Sequence, residues 1–271
     1  MLRIDVNNLS LAYDSNVVVR DISFTMEPSR ITGLVGPNGC GKSSIIKALS
    51  RVLRPCSGSI RYNGRDGDAI SRRELACMLG VVPQIPLLPG SFTAFEAVLM
   101  GRNPHLGLFQ YESAKDFEIV KQALVSTHTQ HLAQRRIGEL SGGEIQSVVI
   151  ARVLAQQTQG ILMDEPTSNL DIGRQIEVLD LMRGLCRSNN LMIGLVLHDL
   201  NLAVQYCDHL ILLNQGQIVT QGAPSQVVTQ ENILAVYGAG SAVHIIDGLP
   251  AILPRAGSSA LQIGEKLFCR S

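Results

Sequence analysis

The chain has 271 residues, 45% of them hydrophobic, enough to bury a core in one large domain or two small ones. Lys plus Arg and Asp plus Glu each number 23, so neither a basic field for nucleic acid nor an acidic tail for a basic partner is present. Six cysteines (Cys40, Cys56, Cys77, Cys186, Cys207, Cys269), with no C-x-x-C pair, argue against zinc ribbons and secreted disulfide frameworks and fit reduced thiols in a cytoplasmic protein.

Met1 to Ser10 carries Asp5, Asn7 and Asn8 where a signal peptide needs an unbroken apolar stretch, so the chain is expected to stay inside the cell. Leu2–Leu9 and Val17–Met26 alternate as strands of an antiparallel N-terminal sheet, with Asp14-Ser15-Asn16 as the turn. The apolar run Ile31–Val35 then reads as a buried strand, and directly after it comes Gly36-Pro37-Asn38-Gly39-Cys40-Gly41-Lys42-Ser43-Ser44. This completes the P-loop pattern G-x-x-x-x-G-K-[ST] and opens a helix expected over Lys42–Val52. Glycines let successive backbone N–H groups turn inward around phosphates, and the helix adds its positive end. Lys42 would reach the β- and γ-phosphates of a nucleoside triphosphate, and the Ser43 hydroxyl would join the shell of a Mg²⁺ ion.

Further short apolar runs at Gly80–Val82, Gly160–Met163, Leu191–Leu197 and His209–Leu213 alternate with helical stretches, the rhythm of an α/β sheet. None approaches the roughly 20 residues of a membrane-spanning helix. Between the first two, the Pro/Gly-rich hinge Pro83–Gly90 leads to helices expected at Ala94–Met100, Glu112–Thr127 and Ser141–Gln156, an inserted helical subdomain of about residues 86–157. Its last helix starts at Leu140-Ser141-Gly142-Gly143-Glu144; such a start is commonly a plain cap, yet it also offers free N–H groups and a hydroxyl to an anion. Ile161-Leu162-Met163-Asp164-Glu165-Pro166 puts two carboxylates at the exposed end of a buried strand, a Walker B pattern: Asp164 to hold the metal through its water shell, Glu165 to polarise the attacking water. His198 follows another apolar strand, at the end where α/β ligands bind. Alternation at Ala242–Ile246 and Pro250–Leu253 predicts a small strand pair in the tail.

With these motifs in this order the chain resembles the ATP-binding-cassette family, the nucleotide-hydrolysing subunits of ABC transporters, over nearly its whole length. The resemblance implies an α/β fold: a P-loop NTPase (RecA-like) core with an N-terminal antiparallel β subdomain and an inserted α-helical signature subdomain. The ATPase domain would span 1–235 and a small C-terminal extension 236–271. ATP and Mg²⁺ are the implied cofactors. Tyr13 would stack on adenine, Gly36 to Ser44 would form Walker A, and Gln84 would be the Q-loop residue touching Mg²⁺ and the attacking water, so that Ser43, Gln84 and Asp164 serve the metal. Glu165 and His198 would be catalytic, His198 contacting the γ-phosphate, and Ser168-Asn169-Leu170-Asp171 would form the D-loop. Ser141, Gly142, Gly143 and Glu144 would complete the ATP site of a second copy, implying a head-to-tail homodimer.

The stretch from Phe95 to Gly107, with Met100-Gly101-Arg102-Asn103-Pro104-His105, and the passage Leu197-His198-Asp199-Leu200-Asn201-Leu202-Ala203 resemble importer cassettes for iron–siderophore, haem and cobalamin. Metal-oxyanion importers (molybdate or tungstate) share the class. The implied partners are two transmembrane permease subunits, received in a groove at Gln84 to Leu108, and indirectly an external substrate-binding protein, with no nucleic acid. The chain would lie on the cytoplasmic face of the membrane. A soluble non-transport ATPase and a nucleotide-responsive regulatory subunit are the rival classes. Two positions depart from the family pattern: Ile145-Gln146-Ser147 after the signature, where Gln-Arg is usual, and Cys40 in the P-loop, a thiol that a positive helix end could activate toward modifiers.

Overall fold

The computed structural model describes residues 1–254 apart from Leu108, Asn169 and Ala239. The expected D-loop residue Asn169, the end of the expected groove at Leu108, and the extension beyond residue 254 lie outside the described residues. In chain order the elements are β1 (Ile4–Tyr13), β2 (Asn16–Met26), β3 (Ile31–Val35), α1 (Lys42–Leu49), β4 (Ser57–Tyr62), β5 (Arg65–Asp66), α2 (Arg72–Met78) and β6 (Leu79–Val82). There follow α3 (Ala94–Leu99), a 3₁₀ stretch (Met100–His105), α4 (Ala114–Ser126), α5 (Gly142–Ala155), β7 (Gly160–Asp164), α6 (Ile172–Asn189) and β8 (Met192–Val196). The chain continues through α7 (Leu200–Tyr206), β9 (His209–Asn214), β10 (Gln217–Gly222), α8 (Pro224–Val227), α9 (Gln230–Tyr237), β11 (Ser241–Ile246) and β12 (Leu249–Pro254).

The central sheet has the order β10-β9-β3-β8-β7-β6, parallel except for the antiparallel edge strand β10. Every residue of β3, β7 and β8 is buried, because both faces of the sheet are covered; this is why these strands read as unbroken apolar runs. Edge strand β10 instead alternates exposed and half-buried positions. One face packs against α1 and the antiparallel sheet β2-β1-β4-β5 through Leu34, Ile45, Leu49 and Leu162 with Ile4, Leu9 and Met26. The other face packs against α5, α6 and α7 through Val149, Val153, Leu179, Met182 and Ala203. Helices α3, α4 and α5 share a separate apolar cluster, including Ala97, Val120, Leu124 and Ala151.

The antiparallel sheet is larger than the sequence reading: β1 runs to Tyr13, which pairs directly with Asn16, and β4 and β5 add two strands not foreseen. Helix α1 ends at Leu49, three residues short of expectation, since Arg51 adopts a left-handed φ of 58° that no helix continues through. Ser113, Thr93 and Ser141 each close a capping box at the starts of α4, α3 and α5, fixing where these helices begin. Helix α9 crosses residue 236, where the sequence reading began the C-terminal extension.

The Met100–His105 stretch is a junction. Arg102, buried, donates from Nε to Asp116 Oδ1 (2.8 Å) and from Nη1 to the Ala155 carbonyl (2.8 Å), tying it to the start of α4 and the end of α5. A Cβ on Gly101 would stand 2.2 Å from the Arg152 carbonyl oxygen, so only glycine permits this approach. From the core side, Arg73 on α2 donates to the carbonyls of Pro104 (2.9 Å) and Leu106 (2.7 Å).

Candidate active site

Strands β3, β8, β7 and β6 are consecutive neighbours, and each delivers one candidate segment at its C-terminal end. These are the P-loop after β3, His198 after β8, Asp164 and Glu165 at the end of β7, and Gln84 after β6. Carboxyl ends of parallel strands are where open α/β sheets bind ligands.

Within the P-loop, Gly36 has φ 147°, and a Cβ there would lie 2.2 Å from the Leu213 carbonyl oxygen. The loop is thus pressed onto β9 at a point where only glycine fits. Lys42, 4% exposed, curls back to donate to the carbonyls of Gly36 (2.8 Å) and Pro37 (2.9 Å), which holds its ammonium over the loop. Pro37, Asn38 and Gly39 form the loop's crest and Gly41 caps α1. Ser43 Oγ donates to Asp164 Oδ1 at 3.1 Å. Burial raises the Asp164 carboxyl above the usual carboxylate range; the Ser43 hydrogen bond opposes this and the Glu165 charge adds to it.

The all-oxygen pair of Ser43 and Asp164 suits a hard cation such as Mg²⁺, which takes one or two protein oxygens and otherwise water and substrate phosphates. No group of three His, Cys, Asp or Glu side chains able to hold a metal occurs among the described residues.

Glu165 is the second carboxylate, and its backbone is left-handed (φ 51°), a conformation a non-glycine residue adopts only when its surroundings hold it there. Its Oε2 accepts from Gln84 Nε2 at 2.7 Å, and its Oε1 lies in direct contact with the His198 ring, 2.5 Å from Nε2. Three residues from three strand ends thereby meet, although 81 positions separate Gln84 from Glu165.

Tyr13, at the end of β1, is 41% exposed and offers a free ring face beside α1. Its hydroxyl accepts from Ser44 Oγ at 3.4 Å, and Lys47 Nζ lies 5.7 Å from the ring centroid. Lys47 was not foreseen; its placement one turn beyond Lys42 and Ser43 on α1 is the signal that could have found it.

Cys40 corrects an expectation. The thiol is 3% exposed and burial pushes its pKa up, with the nearby Lys42 only partly offsetting this, so the helix end does not make it a reactive thiolate.

Ser141 and Gly142 are exposed at the start of α5, whereas the Glu144 carboxylate is engaged: it accepts from the Ser141 N–H and Oγ, both at 2.8 Å. Gly143 is half-buried beneath Leu170. Asp171 caps α6 by accepting from the Arg174 N–H at 2.9 Å. At the departure after the signature, Ile145 packs on the apolar clusters and Ser147 Oγ bonds back to the Gly143 carbonyl at 3.1 Å.

Comparison with known proteins bears on this arrangement. The family model described as ABC transporter matches residues 19–168. The ferric enterobactin transport ATP-binding protein FepC of Escherichia coli (strain K12) is 38% identical over 254 residues, 93% of this chain and 94% of the relative. The hemin import ATP-binding protein HmuV of Pseudomonas entomophila is 40% identical, across 93% of this chain and 100% of its own. Among solved structures, a chain described as belonging to a metal-chelate type ABC transporter in an inward-facing conformation superposes with a TM-score of 0.80 at 30% identity, covering 93% of this chain and 97% of that one.

Proposed function

The chain belongs to the ABC transporter family as an ATP-binding and ATP-hydrolysing subunit, and from that premise we propose that it powers import of an iron chelate, a ferric siderophore or haem, through a membrane permease. The observation that carries the chemistry is the meeting of Glu165, Gln84 and His198 beside the Ser43–Asp164 pair. The cargo class rests on relatives that match nearly end to end and are named for siderophore and hemin transport.

In this reading the P-loop N–H groups and Lys42 grip the triphosphate, Lys42 exchanging its two carbonyl partners for phosphate oxygens. Tyr13 stacks on the base. Ser43 and Asp164 would hold Mg²⁺, with Gln84 as a further candidate; when bound, the ion would neutralise charge on the phosphate oxygens. Glu165, released from Gln84, orients the attacking water and accepts its proton, a contribution on the order of 10²–10⁴-fold in rate. His198 turns from the Glu165 carboxylate toward the γ-phosphate. The exposed start of α5, with Ser141 and Gly142, faces outward to the triphosphate of a second copy, so two chains close head-to-tail on two nucleotides.

Among the described residues no helix is long and apolar enough to cross a membrane, so attachment runs through the permease. The apolar side chains Ile85 and Leu87 in the hinge, and Phe109 and Tyr111 just after the junction in sequence, are each at least 75% exposed and are the candidates for contact with the permease. The test is reconstitution with the co-purified permease in liposomes. ATP-dependent uptake of ferric siderophore or haem is expected, with the Glu165→Gln chain trapping an ATP-dependent dimer; uptake of molybdate instead, or an active ATPase with no membrane partner, overturns the proposal.

A further inference from the structure

Beyond the nucleotide site, the tail hairpin is bound to the body of the chain by two side-chain amides. Val243 on β11 and Ile252 on β12 stand opposite each other in the ladder, and their main-chain groups point outward in opposite directions. On one edge Gln230 of α9 accepts from the Val243 N–H (2.8 Å) and donates to the Ser241 carbonyl (3.1 Å). On the other, Asn201 Oδ1 accepts from the Ile252 N–H (2.8 Å) and Asn201 Nδ2 donates to the Ile252 carbonyl (3.2 Å). Each amide thus replaces a missing strand, satisfying both a donor and an acceptor of an otherwise open edge.

Asn201 sits in the first turn of α7, three residues after His198. Its own N–H donates to Asp199 Oδ1 at 2.7 Å, so the cap that starts α7 and the bond to the hairpin converge on one residue. The apolar side chains Val243 and Ile252 pack on the same cluster as Leu200 and Leu202, which seats the hairpin against this turn. At the other end of the tail, Tyr237 on α9 is close enough to Cys40 of the P-loop for that thiol to add to burial in pushing its phenol up to about 12.

We propose that the hairpin β11–β12 is a positioning element for ATP hydrolysis, with Asn201 the positioning residue: by fixing the first turn of α7 it holds His198 in line with Glu165. The inference rests on the proposed role of His198. It assigns the tail a part in turnover rather than in nucleotide binding, since the Asn201 side chain bonds only the hairpin and its N–H only the α7 cap.

The experiment uses the full-length chain. Asn201→Leu removes both amide bonds at nearly constant volume, and Ile252→Pro removes the single N–H that Asn201 accepts without touching a ladder bond. Both variants are expected to lower kcat by about tenfold or more, as displacement of a positioned group does. The KM for ATP and the affinity for a non-hydrolysable ATP analogue should stay within about twofold of wild type, since the phosphate cradle is untouched. In a His198→Ala background Asn201→Leu should add no further loss, whereas multiplying losses would place Asn201 on a separate route and overturn the proposal. A second readout needs no turnover: the His198 ring resonances in NMR should shift in both variants. Unchanged resonances and unchanged kcat overturn the proposal. If His198→Ala leaves kcat intact while the resonances still shift, the role given to His198 falls and the positioning of its ring stands.

Discussion

Asp116→Asn tests how the helical insert is held to the core. Asp116 and Arg102 are 7% and 6% exposed, and their 2.8 Å bond is accompanied by two bonds from Ser113, its N–H (2.9 Å) and its Oγ (2.6 Å), to the other carboxylate oxygen. An asparagine has one acceptor oxygen for these two sides. Its NH₂ must therefore face either the Ser113 donors or the guanidinium, and Arg102 keeps only neutral acceptors, the Ala155 carbonyl and Gln157 Oε1. Breaking a buried pair from one side costs about 3–5 kcal/mol, so the expected loss is near 3 kcal/mol by urea unfolding, or about 6–12 °C in Tm for a chain of this size. Arg102→Met should cost less, because Asp116 retains both Ser113 bonds, and Arg102→Met with Asp116→Asn should be more stable than Asp116→Asn alone. The Ser113 bonds first, and Arg102 second, hold the Asp116 carboxyl well below its usual range. Its contribution is therefore present above the unfolded value of 3.8 and is lost as pH falls through the depressed folded pKa; Asp116→Asn should remove that acid limb. The reasoning is refuted if Asp116→Asn stays within about 1 kcal/mol of wild type, or if the double variant is the least stable of the three.

Asp164→Asn should behave in the opposite sense: its folded pKa is raised by burial, so the stabilising protonated form is present below 3.8 and lost as pH rises through the folded value. Differential scanning calorimetry of the nucleotide-free chain should accordingly show a higher Tm at neutral pH for Asp164→Asn while hydrolysis collapses; a lower Tm would contradict the assignment. Tyr13→Ala should raise the KM for ATP roughly 5- to 100-fold, the worth of one base stack, and Tyr13→Phe should nearly restore it. An unmoved KM in Tyr13→Ala means that its open ring face meets no base. Cys40 should react with maleimide at neutral pH roughly tenfold more slowly than exposed Cys56, read by peptide mass spectrometry, because burial protects the thiol and keeps it protonated; equal rates would refute this.

The elements most legible in the sequence are those whose chemistry dictates residue type at short range. Ile31–Val35 with the glycines behind it, and Ile161–Glu165, announce a buried strand and what it delivers, because full burial and sharp turning each leave few choices. Between residues 57 and 78 the apolar positions are few and scattered, and β4, β5 and α2 escaped the reading; yet Asn63-Gly64, with φ values of 51° and 78°, is a hairpin turn pair that could have marked them. Helix α6, expected only as a helical stretch between two strands, had no legible limits because much of it faces solvent: Ile172 is 76% and Ile176 42% exposed, which blurs its apolar stripe. The meeting of Gln84, Glu165 and His198 depends on strand order in the sheet, and the bonds from Asn201 to Ile252 on a hairpin docking 51 positions away; neither distance has a local signature.

Arg73 and the Cys77 thiol hold the 3₁₀ junction by its carbonyl oxygens at Pro104 and Leu106, not by its side chains. A link made to main chain is indifferent to what the neighbouring residues are. On the proposed docking of a permease at this segment, outward side chains such as Phe109 and Tyr111 could therefore be exchanged to suit a different partner while the main-chain link to α2 stays intact. What the segment would recognise and how it is held to the core are thus separable.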